Sequence, residues 1–73
     1  MSSNMTLSQL FIGDKITKDL LQKRAGENKY WDSSISFIEK YWDKNIESLS
    51  SKQLDWAYKI MEDMVEWRIS KRI

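Results

Sequence analysis

The side chains of this chain that could carry chemistry are serines beside lysines and carboxylates one helical turn apart. Ser50-Ser51-Lys52 is the first arrangement, since a lysine amine near a hydroxyl can serve as base for a serine nucleophile. Glu62, Asp63 and Glu66 are the second, since oxygen ligands at this spacing suit a divalent cation. Each has a plainer use. Ser50 followed by Gln53 is a capping box, in which both side chains satisfy orphan backbone N–H groups at a helix start. Glu62 and Glu66 fall on the arc of an amphipathic helix that faces solvent. The chain has no histidine and no cysteine. That removes the commonest general base, the activated thiol, the disulfide and the usual zinc ligands. The two glycines, Gly13 and Gly26, sit at expected helix boundaries, so no glycine-rich phosphate loop exists. These residues predict no catalytic, cofactor or metal site, and a non-enzymatic protein.

The elements follow from caps and periodicity. Thr6 and Gln9 form a capping box, with Met5 and Leu10 placed as a hydrophobic staple. The helix it opens carries Leu7, Leu10 and Phe11 and meets Gly13. A second segment runs from about Lys15 to Ala25, with Ile16, Leu20 and Leu21 inward and Gly26 as its C′ residue. A continuous helix weakened at Gly13, or a Gly-Asp hairpin, are the alternatives over residues 6–26. The third helix is expected from Asn28 or Lys29 to about Lys44. Trp31, Ile35, Ile38 and Trp42 form its main stripe, and Tyr30, Phe37 and Tyr41 a second stripe beside it. Ser50, with Leu49 and Leu54 as staple, opens the last helix, which runs to about Ser70. Its main stripe is Leu54, Ala57, Tyr58, Met61, Met64, Val65 and Ile69, and its flanking stripe Trp56, Ile60 and Trp67. The short connection from Lys44 to Leu49 predicts that the last two helices pack antiparallel. The expected fold is therefore all-α, a bundle of three to four helices over residues 1–73, with residues 1–5 disordered.

Seventy-three residues make one domain at most and bury only ~60% of the surface an unfolded chain exposes. Without disulfides or metal, the four Trp, three Tyr and two Phe must supply the packing, or self-association must help. Twelve basic residues against eleven acidic ones argue against affinity built mainly on phosphate neutralisation. No apolar run approaches the roughly 18 residues of a membrane span. Met1-Ser2-Ser3-Asn4 lacks the basic and apolar regions of a signal peptide. A cytoplasmic protein with no membrane partner is expected.

Both long helices carry apolar arcs wider than the ~100° a one-sided core requires. Either every stripe is internal, or some aromatics stay exposed as a binding or homodimer surface, where Trp and Tyr concentrate. The candidate protein-binding residues are Trp56, Ile60 and Trp67, then Tyr30, Phe37 and Tyr41. A competing reading rests on Lys15, Lys18, Lys23, Arg24 and Lys29. They fall on or just after a Leu7–Ala25 segment of helix-turn-helix length and could contact nucleic-acid phosphates. Single-strand stacking would require exposed Tyr or Trp beside lysines. Helix C-termini favour positive charge in any case, which accounts for Lys23, Arg24 and Lys29, and for Arg68, Lys71 and Arg72. A self-associating structural subunit is the third reading.

The pattern Trp31-x-x-Ser34-x-x-Phe37-Ile38, then Leu49-Ser50-x-Lys52-Gln53-x-x-Trp56-Ala57-x-x-Ile60, resembles small bacteriophage-type helical proteins over residues 31–60. That resemblance implies a viral or prophage origin. It also implies the function class of phage proteins that disable host machinery, anti-CRISPR and other anti-defence inhibitors among them. The partner would be a host or phage protein, met in the host cytoplasm.

Overall fold

Two capping boxes anchor the chain. Thr6 Oγ1 accepts from the Gln9 N–H at 3.2 Å while the Thr6 N–H donates to Gln9 Oε1 at 2.9 Å. Ser50 and Gln53 repeat the exchange at 3.2 and 2.9 Å. Such caps each contribute about 1 kcal/mol. In the computed structural model, which describes residues 5–72, they open helix α1 (Leu7–Gly13) and helix α4 (Ser51–Lys71). Between them lie α2 (Lys18–Glu27), a 3-10 turn at Lys29–Trp31, α3 (Asp32–Tyr41) and a second 3-10 turn at Ile46–Ser48. No strand occurs among the described residues; Thr6 and Asn45 make one isolated antiparallel bridge. Of the segment expected to be disordered, residues 1–4 lie outside the described residues. The Met5 carbonyl accepts from the Ile46 N–H at 3.0 Å.

α3 and α4 form the antiparallel hairpin. Tyr41 meets Gln53, Phe37 meets Trp56, and Trp31 meets Asp63, so one index falls as the other rises. Gln53 bridges both jobs at that corner: its Oε1 completes the cap, and its Nε2 donates to Tyr41 Oη at 3.0 Å. α2 folds back along the other flank of α3, where Gln22 Nε2 donates to Glu39 Oε2 at 3.2 Å. α1 then closes the end of the bundle. The Leu7 and Ser8 N–H groups donate to the Lys44 and Trp42 carbonyls, each at 2.9 Å. Orphan donors at the start of α1 thus meet carbonyls at and just past the end of α3, a favourable head-to-tail alignment of dipoles.

The segment 6–26 is two helices, with boundaries that differ from expectation. α2 starts at Lys18, because the Thr17 side chain accepts from the Leu20 N–H and Ile16 is drawn fully into the core. The left-handed residue of the turn is Lys15 (φ 63°) and not a glycine. Gly26 lies inside α2, which ends at the extended Asn28. α3 stops at Tyr41, three residues early, and Trp42 turns inward to meet Phe11 edge-on at 6.0 Å.

The core joins Leu7, Phe11, Ile16 and Leu21 to Trp31, Ile35, Phe37, Ile38 and Trp42, and to Ala57, Ile60, Met64 and Trp67 of α4. α4 sets the long dimension: 21 residues rise about 31 Å, within a 38 × 22 × 17 Å body.

Candidate protein-binding surface

The six aromatic and aliphatic candidates do not form one surface. Ile60 and Trp67, expected to stay exposed, are 4% and 7% accessible, and Phe37 is buried as well. The reason is the rotation of α4. Its innermost line is Ala57, Ile60, Met64 and Trp67, spaced three, four and three residues apart. This line lies between the two stripes inferred from periodicity and takes members from each.

Trp67 is covered further by Arg24, whose guanidinium lies 5.9 Å from its ring and 5.7 Å from that of Trp31. Asp63 holds this group together. It accepts from Arg24 Nη2 at 3.3 and 3.4 Å and from Trp31 Nε1 at 2.8 Å. The cluster ties α2, the first 3-10 turn and α4 into one charged and aromatic seal. Two of its donors, Arg24 Nε and Trp67 Nε1, are buried without a hydrogen-bond partner. Beside it, Lys71 Nζ lies 3.2 Å from Glu27 Oε1 and holds the Glu27 carboxyl below its ordinary value of 4.5. The Trp67 indole contributes to that lowering.

Trp56, Phe37 and Tyr41 do converge. Trp56 is 39% exposed, and its ring lies 4.5 Å from that of Phe37 at an interplanar angle of 32°. Phe37 continues to Tyr41 at 5.0 Å. Trp56 and Tyr41 therefore form an aromatic strip at the α3–α4 groove, seated on the buried Phe37. α3 supplies Phe37 and Tyr41 one turn apart, and α4 supplies Trp56 from the opposing register. Tyr30 lies apart from this group, in the 3-10 turn before α3, and is 94% exposed.

Lysines border the strip. Lys40 Nζ sits 5.5 Å from the Tyr41 ring. Lys52 and Lys59 are exposed and flank Trp56 at i−4 and i+3 on α4. None of the three was among the binding residues expected from the sequence, although helical spacing sets Lys52 and Lys59 beside Trp56.

The basic residues proposed for nucleic acid are scattered. Lys15 is in the α1–α2 turn, while Lys23 and Lys29 are exposed toward and beyond the far end of α2. Lys18 lies 5.9 Å from the Trp42 ring. Arg24 corrects the expectation outright: it is bound to Asp63 and stacked between two indoles, so it is not a free phosphate ligand. The chemistry weighed for Ser50 and for the carboxylates resolves similarly. Ser50 Oγ serves the cap. Asp63 belongs to the Arg24 cluster, whereas Glu62 and Glu66 border a separate groove.

No helix among the described residues is long and apolar enough to cross a membrane. Comparison with protein-family models, with curated proteins and with solved structures finds no match to this chain.

Proposed function

We propose that this chain is a non-enzymatic protein-binding module that covers part of a partner's surface with Trp56 and Tyr41, supported from beneath by Phe37. One observation carries the reading: Trp56 alone of the four tryptophans stands substantially in water, yet it is braced by stacking on Phe37. A rigid, partly exposed indole has the character of an interface anchor, since it offers large apolar area at little conformational cost. Lys40, Lys52 and Lys59 around it suit an acidic partner surface. We further propose, from the resemblance of residues 31–60 to bacteriophage-type proteins, that the module is a phage inhibitor acting on host machinery in the host cytoplasm.

A second reading draws on the same lysines. Stacked aromatics bordered by cations also suit single-stranded nucleic acid, with bases on Trp56 and Tyr41 and phosphates near the lysines. Two experiments separate them. Affinity capture from a bacterial host lysate with wild-type and Trp56→Ala baits should recover a protein with the first and lose it with the second, with helicity unchanged. Equal recovery by both overturns the strip as the binding surface. Titration with oligo-dT, followed by Trp fluorescence, should show no saturable change for a protein-binding module. A saturable change that weakens steeply with salt favours the nucleic-acid reading.

A further inference from the structure

A different surface lies on the other side of α4. Val65 follows Trp56 by nine residues, about half a turn around the axis. Leu54, Tyr58, Met61 and Val65 succeed one another at four, three and four residues, the spacing of a coiled-coil seam. Ile69 extends the line and is 69% exposed. Leu54, Met61 and Val65 are only half-buried, so each offers apolar area that the core does not cover.

Between this seam and the α1–α2 turn runs an open groove of about 260 Å³, with a floor of Met61 and Val65 and a rim of Asp14, Glu62 and Glu66. None of the three rim carboxylates joins an ion pair among the described residues, where the pairs are Arg24–Asp63 and Lys71–Glu27. Arg68 is committed to the wall: its Nη1 donates to the Asp14 and Lys15 carbonyls at 2.6 and 3.0 Å. Asp55 continues the acidic flank toward the start of α4, with Lys59 between it and Glu62.

Like charges at i,i+4, as in Glu62 and Glu66, repel one another. An apolar floor beneath them invites a side chain with an apolar stem and a cationic head, as lysine and arginine have. We infer that the α4 seam docks an amphipathic helix of a partner protein, with aliphatic residues on its buried face and lysines or arginines on the flank that meets Asp14, Glu62 and Glu66. A second copy of this chain fits poorly. Its own seam is flanked by Asp55, Glu62 and Glu66 with Lys59 among them, so it offers mainly acidic groups where the rim calls for cations.

The test uses a synthetic helical peptide of leucine and lysine in heptad order, titrated into the ¹⁵N-labelled full chain. Amide shifts should concentrate on Asp14 and Tyr58–Ile69. Binding should weaken about tenfold in the E62Q/E66Q variant, as the loss of two moderate charge contacts implies. It should be unchanged in Trp56→Ala, which separates failure here from failure of the strip. Three results would overturn the inference: shifts centred on Trp56 and α3, equal affinity for E62Q/E66Q, or sedimentation showing that the free chain already covers the seam with its own copy.

Discussion

α4 carries two apolar lines of nearly the same spacing and composition, and only one became core. Ala57, Ile60, Met64 and Trp67 are buried, whereas Leu54, Tyr58, Met61 and Val65 remain partly or largely in solvent. Periodicity cannot choose between them. The choice is made by what docks: α3 brings Phe37 and Ile38 to one side, and the Arg24–Asp63–Trp31 cluster fixes α2 over Trp67. Burial of a helix face is thus a property of its neighbours' positions.

The comparison breaks most sharply at adjacent residues. Met64→Ala should destabilise by about 2–5 kcal/mol, because it empties a fully enclosed site. Val65→Ala, one position along, should cost less than about 1 kcal/mol, because water already reaches that side chain. Urea unfolding of the two variants measures both, and equal losses would mean that the helix is rotated from the position described. The next effect is at the seal. Asp63→Ala should cost about 1–3 kcal/mol, since it strips the acceptor from a half-buried guanidinium and from the Trp31 indole. A shift in Trp fluorescence should accompany the loss of stability.

The smallest effect sharpens the comparison at the end of α4. The Glu27 carboxyl is held below 4.5, first by its hydrogen bond with Lys71. A depressed carboxyl stabilises the folded state above its unfolded pKa, and that contribution disappears as pH falls through the folded value. Thermal stability should therefore decline slightly more on acidification below about pH 4.5 in the wild type than in Glu27→Gln. Identical acid profiles would show that the exposed pair contributes nothing.

Much of the fold was legible because it is written in local chemistry. The Thr6–Gln9 and Ser50–Gln53 boxes need only neighbouring side chains, and the short corner forced the antiparallel hairpin. The starts of α2 and α3 were less legible, since the turn expected to open α3 at Asn28 or Lys29 is 3-10 and the α-helix begins only at Asp32. Ile16 was expected inward and is fully buried, but the lysine at positive φ before it, which with the Thr17 cap moves the start of α2 to Lys18, cannot be read from propensity. At the candidate site, Trp56, Phe37, Tyr41 and Tyr30 were named from aromatic spacing. That Phe37 would lie beneath Trp56, and that Ile60 and Trp67 would turn inward, depends on the register of α3 against α4. Lys40, Lys52 and Lys59 gain significance only because Trp56 stays exposed, and that is decided by the pairing of α3 with α4, not by local sequence.

Acrylamide quenching of the wild type against Trp56→Phe tests most directly whether one indole is available for contact. Trp31, Trp42 and Trp67 are buried, so the wild type should show one accessible component that vanishes in the variant and leaves blue-shifted, protected emission. If the accessible component survives the substitution, or if no tryptophan is quenched in the wild type, Trp56 is not the exposed anchor.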